Sequence, residues 1–398
     1  MHIRSNIPAW GAEEVSNGLA ALLRAGRGDF GSALRKELGE FADGWSPVLL
    51  SSARLGLSMA ARSLGLAGKR VAVPVYVCPA VLTGLHAARV TPVPVDCAPD
   101  SVRFDLDALS RAVGGGEVEG LVSPNTYGLD QDYENLKRLG LPVMEDAAYQ
   151  GGRYDAAGRA CGLRADAGVW SFNFKALSGV GGGVLWTTES AATQPPRSGQ
   201  VPSRIGEASR FINYALRSLG RHRIPKVFPG AGAPNGHEEN PVRASLYEMS
   251  DAPMSDLQAA VALAQWRGRE RIASLQRRAS EYLTGVAHTC EAFSTLEGQG
   301  ESDAIHLLPL TVRVKGDDDA RAAVKLARSL LHAGGVQTEP PYPVTLGAEA
   351  KLPNAHRLAA RLFLVPCNPS LGPMQTELIG RALKDASREV GRRFRVER

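Results

Sequence analysis

Three short stretches carry residue types that could combine into chemistry. VMEDAAYQGG (143–152) is an apolar run that closes on two acids, Glu145 and Asp146, and continues in small residues. WSFNFKALSGVGGGVLW (170–186) sets a serine, Ser171, and a lysine, Lys175, ahead of a glycine run. LLSSARLG (49–56) places Ser51 and Ser52 where an apolar run gives way to a helical pattern.

An acid, an amine and an anion-binding turn form the set that pyridoxal 5′-phosphate (PLP) requires. Its phosphate suits a helix N-terminus with hydroxyl donors, because free amides and the helix dipole favour an anion. Its pyridine nitrogen needs a buried carboxylate to keep it protonated, and its aldehyde needs a lysine amine. Ser52, Ala53 and Arg54 meet the first need, Asp146 the second and Lys175 the third. Taken singly, each has a plainer reading. An acid at a strand end is most often a helix cap, a lysine before glycines a solvated loop residue, and Ser-Ser-Ala-Arg a helix start. What points to a cofactor is the order of the three, each at the end of an expected strand.

Short apolar runs at 48–52, 70–76, 91–96, 119–124, 141–147, 168–173 and 182–188 read as strands. Between them lie helical patterns over 53–66 and 79–89, and one that begins near Asp105. Such alternation predicts an α/β fold with a mostly parallel sheet covered on both faces. Ligands of such sheets bind beyond the carboxyl ends of the strands, here after Ser52, Val73, Asp146 and Phe172. Residues 190–245 read as a loop-rich insertion around a basic helix, FINYALRSLGRHR (211–223). Ser255 is expected to cap one long helix running to about 283. From about 300 strand and helix alternate again, at 306–314 and 317–335. The expected organisation is a large PLP-binding domain over 1–254, then a connecting helix and a smaller C-terminal α/β domain over 255–398.

With 398 residues the chain is too long for one ordinary core, which favours that division. A net charge of +5 suits an anionic small molecule and is too mild to argue for nucleic acid. Five cysteines, odd in number and without a CxxC pair, support neither a zinc site nor a disulfide framework. His306, His332 and His356 are too scattered to bind a metal, and none is expected. No apolar stretch reaches membrane-spanning length, and the opening MHIRSNIPAW lacks a signal peptide's apolar core; a cytoplasmic protein is expected. Arg217, Arg221, His222, Arg223 and Lys226 could grip a diphosphate or an anionic membrane surface, but a solvated helix face accounts for them equally well. GVGGG precedes a strand rather than a helix, so it is no dinucleotide loop.

From about residue 48 to about 385 the chain resembles the DegT/StrS family, sugar aminotransferases of PLP fold type I. The likeness lies in ordered blocks: SARLGLSMAARSLGL, VAVPVYVCPAV, VTPVPVDCAPDSVRFDLDAL, SPNTYGLDQD, EDAAYQGG, SFNFKALSGVGGG, SDLQAAVALAQ and LPNAHRLAARLFLVPCNPSLG. The resemblance makes Lys175 the lysine that carries the cofactor and Asp146 the partner of the pyridine nitrogen. It makes Ser171 a phosphate ligand beside the amides near Ala53 and Arg54, and gives Gly182 and Gly183 the tight backbone beyond the lysine.

Four departures from the family pattern stand out. Ser171 and Lys175 are four steps apart where the family has five. Three residues after the aspartate stands Tyr149, with Gln150 next, where the family has His or Gln, and either could reach the cofactor's 3-oxygen. The aromatic that stacks on the pyridine falls at Cys78. The asparagine that one subunit offers to the other's phosphate falls at Asp251. The resemblance implies a homodimer that moves an amino group from an amino acid such as glutamate to a nucleotide-linked keto sugar. Lys175 would then act as acid and base, with burial and the cationic cofactor linkage lowering its pKa toward neutrality. Amino transfer to a cyclitol or other small ketone, PLP-dependent dehydration or cyclisation, and a degenerate ligand-binding homologue are the alternatives.

Overall fold

The structure, a computed structural model, describes residues 3–4, 7–24, 29–173, 175, 177–188, 204–218, 251–299, 305–344 and 351–397. The seven apolar runs of the first half all form strands: β1 (Ser46–Leu50), β2 (Arg70–Pro74), β3 (Thr91–Val95), β4 (Gly120–Pro124), β5 (Val143–Asp146), β6 (Ala167–Ser171) and β7 (Gly183–Thr187). They make one sheet in the order β1-β7-β6-β5-β4-β2-β3. β7 runs antiparallel to both its neighbours and the other pairings are parallel. All strands except β7 therefore point the same way, and their carboxyl ends share one edge. β4 to β7 are buried at every position. A sheet covered on both faces has no solvent side, which is why these strands read as continuous apolar runs and not as alternating ones.

The helices between the strands start where local chemistry starts them. Ser52 caps α3 (Ala53–Ser63), its hydroxyl accepting the Leu55 amide at 3.3 Å. Pro79 begins α4 (Pro79–Ala87), where a missing N–H costs nothing. Asp105 caps α5 (Leu106–Gly114), accepting the Ala108 amide at 2.9 Å. The short α6 (Tyr133–Arg138) precedes β5. Two N-terminal helices, α1 (Ala12–Leu23) and α2 (Phe30–Phe41), join them, and α7 (Arg204–Ser218) begins seven residues before the expected start at 211. Residues 219–223 of that expected helix lie outside the described residues, as do Arg221, His222, Arg223 and Lys226 of the basic cluster.

The single long helix expected after Ser255 is two: α8 (Asp256–Arg267) and α9 (Arg269–His288). Ser255 does cap the first, accepting the Gln258 amide at 3.2 Å while the Gln258 side chain accepts the Ser255 amide at 3.1 Å. The break is at Gly268, whose lack of a side chain makes it a poor helix former.

A second, antiparallel sheet in the order β10-β9-β8 is built from β8 (Phe293–Thr295), β9 (Leu307–Val312) and β10 (Leu362–Pro366). Three helices accompany it: α10 (Asp317–Ala333), α11 (Pro353–Arg361) and α12 (Pro373–Arg393). The chain's beginning returns to this second core, where Ile3 bridges Val336. Asp96, just beyond β3, joins the two sheets by accepting the Asn354 and Ala355 amides in the first turn of α11, each at 3.0 Å.

Glycine packing makes the fold testable. A Cβ at Gly168 in β6 would lie 1.7 Å from the Gly162 carbonyl oxygen, whereas one at Gly39 in α2 would meet nothing within 4 Å. Gly168→Ala should lower the unfolding free energy by at least about 1–3 kcal/mol through overpacking. Gly39→Ala should raise it by about 0.4–1 kcal/mol, because alanine restricts the unfolded chain and favours helix. Urea denaturation of both variants reads the opposite signs.

Candidate active site

The chemistry-bearing residues meet at the carboxyl edge of the large sheet. β7 lies between β1 and β6, so Ser52, two residues past the end of β1, and Ser171, the last residue of β6, flank its start. Ser52 bridges Gly182, and Ser171 pairs with Gly183. Gly182 has a φ of +98°, which a side chain would strain. A Cβ at Gly183 would lie 2.5 Å from the Ala53 amide nitrogen. Glycine there lets the strand touch the first turn of α3, where amides have no intrahelical acceptor. The Ser171 hydroxyl accepts the Asn173 amide at 3.3 Å. A helix N-terminus, two serines and a side-chain-free backbone form a cradle suited to a phosphate.

The loop that carries Lys175 is closed and pinned. Phe172 closes it twice, its carbonyl accepting the Gly179 amide at 2.7 Å and its amide donating to Gly182 at 3.0 Å. Gln265 of α8 accepts the Ser178 amide at 2.8 Å, and the Trp10 indole donates to the Ser178 carbonyl. The Ser178 hydroxyl donates to the carbonyl of Lys175 at 3.1 Å.

The Lys175 amine sits 3.6 Å from the centroid of the Tyr149 ring and donates to the Tyr342 hydroxyl at 3.4 Å. The Tyr149 and Tyr342 hydroxyls are 2.6 Å apart. Tyr127 stacks on Tyr342, with centroids 5.3 Å apart and planes 14° apart, and accepts the Tyr342 amide at 2.9 Å. Tyr127 holds a φ of +58°, an unfavourable conformation for a bulky residue that buried packing maintains. Burial raises the pKa of both Tyr127 and Tyr342. Burial alone would lower the Lys175 pKa, but Tyr149, Cys78 and Asp146 outweigh it and the net direction is upward. The expected lowering belongs to the cofactor-loaded site, where the cationic linkage adds to burial; the protein's own neighbouring groups act in the other direction.

Asp146 ends β5, is buried, and accepts the Ala148 amide at 3.1 Å. Burial pushes its pKa up to about 6, against the pull of that amide and of Lys175. Its neighbour Glu145 belongs to a different environment. Arg164 donates to Glu145 through Nε at 3.0 Å and Nη2 at 2.6 Å, and also reaches Asp130 at 3.0 Å. The Gly162 amide adds a bond to Glu145 at 2.6 Å. Gln150 is built into this network: its amide donates to the Gly128 carbonyl at 2.9 Å and its oxygen accepts from Asn125. Of the two adjacent candidates, Tyr149 faces the lysine and Gln150 supports the wall behind it.

Cys78 holds the N-cap position of α4, half-buried and without a side-chain cap bond. Asp251 is exposed. The residues after it follow the end of β1, with Ala252 accepting the Ser51 amide at 3.0 Å and Pro253 bridging Leu50. Tyr342, Tyr127 and Arg164 were not singled out from the sequence. Tyr342 lies 167 positions from Lys175, inside a proline-flanked stretch that resembles a loop, and no local spacing rule reaches that far. Among the described residues no group of three His, Cys, Asp or Glu side chains could hold a metal ion, and no helix is long and apolar enough to cross a membrane.

A large sheet with one reversed strand, a pinned lysine at its carboxyl edge and a buried aspartate beside it define a PLP-dependent transferase. The chain belongs to the DegT/DnrJ/EryC1/StrS aminotransferase family, whose family model matches residues 12–384. It is 24% identical, over 93% of its length and 95% of the relative's, to the UDP-2-acetamido-2-deoxy-3-oxo-D-glucuronate aminotransferase of Pseudomonas aeruginosa. Its fold matches PseC of Helicobacter pylori, an aminotransferase involved in pseudoaminic acid biosynthesis (TM-score 0.74, 16% identity, 98% of this chain and 100% of that one). It also matches the PLP form of Spr1654 from Streptococcus pneumoniae (TM-score 0.74, 18% identity, 98% and 100%). The protein is a PLP-dependent aminotransferase of fold type I. Its residues fit the cofactor: the buried carboxylate, the phenol-flanked amine and the cradle at Gly183 are groups that would suit its nitrogen, aldehyde and phosphate.

The raised Asp146 pKa has a definite consequence for the cofactor-free protein. A carboxyl whose folded pKa exceeds its unfolded value is better protonated when folded, so it loses stability as pH rises from about 4 through 6. Asp146→Asn removes that charge. The variant should gain on the order of 3 kcal/mol in unfolding free energy at pH 8, and the gain should vanish below pH 4. Chemical denaturation of cofactor-free protein at the two pH values checks it.

Proposed function

We propose that this aminotransferase takes its amino group from an amino acid, glutamate first among candidates, and delivers it to a nucleotide-linked keto sugar. The observation that carries the reading is the Lys175 amine, held at 3.4 Å from the Tyr342 hydroxyl and against the Tyr149 ring, with buried Asp146 nearby. The Pseudomonas relative, named for a UDP-linked 3-oxo sugar, supports the acceptor class.

When bound, PLP supplies an electron sink that eases removal of the donor's α-proton. The protein's residues do the rest. Lys175 holds the cofactor and then, released, moves a proton at the donor's α-carbon. The Tyr342 hydroxyl, paired with that of Tyr149, accepts a hydrogen bond from the Lys175 amine and orients it for that step. Asp146 keeps the pyridine nitrogen protonated. Ser52, Ser171 and the amides of Ala53 and Arg54 hold the phosphate. Tyr149 is the residue assigned to the 3-oxygen, because the Gln150 amide is occupied by the wall behind it. Cys78 takes the place of the stacking aromatic.

Borohydride reduction and peptide mapping should find the pyridoxyl group on Lys175; a label on another lysine would reject the assignment. Glutamate alone should release about one equivalent of keto acid per subunit, as the first half of a ping-pong cycle requires. A nucleotide-linked keto sugar should then restore the starting spectrum. Lys175→Ala should lose turnover and Asp146→Ala most of the first half-reaction. Re-oxidation by a cyclitol ketone alone would keep the mechanism and discard the sugar.

The same reading makes the working form a homodimer in which the segment around Asp251 approaches the partner's phosphate site. A carboxylate beside a phosphate is repulsive, so Asp251→Asn should keep or improve PLP retention on gel filtration. Full activity of a monomer at every concentration would defeat the shared site, and a large loss of PLP in Asp251→Asn would show that the carboxylate is needed.

A further inference from the structure

Trp10 precedes the stretch that the family model matches, yet its side chain reaches the loop that carries Lys175. Its indole N–H donates to the Ser178 carbonyl, and Gln265 of α8 accepts the Ser178 amide at 2.8 Å. Gln265 in turn donates to the Glu14 carboxylate at 2.7 Å and to the Ala9 carbonyl at 3.4 Å. Glu14 also accepts the Gly11 amide at 2.7 Å. Residues 9–14 and α8 thus close a ring of hydrogen bonds on Ser178, whose own hydroxyl donates to the Lys175 carbonyl at 3.1 Å. Trp10, Glu14, Ser178 and Gln265 are all buried, so water does not compete for these bonds.

The indole is seated by the insertion helix. Phe211 and Tyr214 of α7 each bring a ring centroid within 5.7 Å of that of Trp10. Val180, from the lysine loop itself, belongs to the same buried cluster. A Cβ at Gly18 in α1 would lie 2.1 Å from the Phe211 ring, so glycine there lets α1 and α7 approach closely.

We propose that Trp10 is a positioning residue for Lys175 and that α7 serves the site by seating its indole. The inference rests on Lys175 as the cofactor-bearing lysine. Trp10 acts through Ser178: bonds on both sides of that residue fix the point from which its hydroxyl reaches the Lys175 carbonyl. A lysine that holds the cofactor and then moves a proton must return to one place, and a misplacement of about 1 Å can cost on the order of a hundredfold in rate. Trp10→Phe keeps an aromatic ring and removes the donor alone.

The test compares wild type with Trp10→Phe, Phe211→Leu and a control, Phe293→Leu in the second core. Hydrogen exchange of cofactor-free protein reads the lysine loop, and urea denaturation reads global stability. Stopped-flow mixing of PLP-loaded protein with glutamate reads the donor half-reaction. Trp10→Phe should speed exchange in residues 177–182 roughly threefold to tenfold, the equivalent of about one lost bond, with β9 and β10 unchanged. Its limiting rate should fall about tenfold, while the glutamate concentration for half that rate stays within about twofold. Phe211→Leu should do the same to a lesser degree, and it carries the test if Trp10→Phe fails to fold. Phe293→Leu should lower the urea midpoint and leave loop exchange and limiting rate within about twofold. If Trp10→Phe slows the reaction no more than Phe293→Leu at an equal loss of urea midpoint, Trp10 is structural and the proposal is overturned. Unchanged exchange and rate in Trp10→Phe, with the wild-type pyridoxyl label on Lys175, would overturn the role of Trp10 and leave the Lys175 reading intact. A wild-type label on another lysine would defeat that reading and the positioning role with it.

Discussion

The approach of β7 to the first turn of α3 is the contact on which the site depends. It requires Gly183, since a Cβ there would stand 2.5 Å from the Ala53 amide nitrogen. Because β7 is inserted between β1 and β6, that contact sets the distance between Ser52 and Ser171. It also fixes where the lysine loop must leave β6 and return. Gln265, Trp10 and the Phe172–Gly179 bond then limit what remains free in that loop. The precision of Lys175 thus comes from backbone contacts and buried amides, with little owed to the lysine itself.

β5 ends in two acids that live under opposite conditions. Glu145 is fully buried, yet Arg164 and the Gly162 amide satisfy it, so its charge is accommodated. Removing one partner of such a pair would leave an uncompensated charge, which is among the costliest changes a core can suffer. Asp146, one residue on, accepts the Ala148 amide and has a pKa raised by burial to about 6. One side of the strand end is saturated with partners, and the other keeps a carboxyl out of balance. Perturbed groups of this kind collect where function needs them, and the saturated network is what lets the fold carry one.

The phenols around Lys175 show how a family scaffold is varied. Tyr149, Tyr342 and Tyr127 bring three hydroxyls together, and two of them lie 2.6 Å apart. The amine they surround is held charged in the absence of cofactor, although burial opposes it. Tyr127 keeps a left-handed backbone conformation to reach its place. A half-buried thiol at Cys78 completes the surroundings.

The sequence by itself determined the seven strands of the large sheet, the helix starts at Ser52, Asp105 and Ser255, and the class of chemistry. Continuous apolar runs mark strands buried on both faces, and Ser52, Asp105 and Ser255 announce helices because capping is a local event. Lys175 and Asp146 could be proposed from sequence because Asp146 closes one apolar run, Lys175 follows another, and the two stand in order behind the serine turn at Ser52. Tertiary structure decided what local pattern cannot encode. The break at Gly268 interrupts an apolar stripe that reads as one helix. That Tyr149 faces the lysine while Gln150 is held in the wall behind it depends on Asn125 and Gly128, which bond the Gln150 amide from segments some twenty residues away. Tyr342 comes from the far half of the chain, and only the packing of the second sheet against the first brings it to the lysine. Local chemistry depends on neighbours in sequence; the polish of a buried site depends on neighbours in space, and those appear only once the chain has closed on itself.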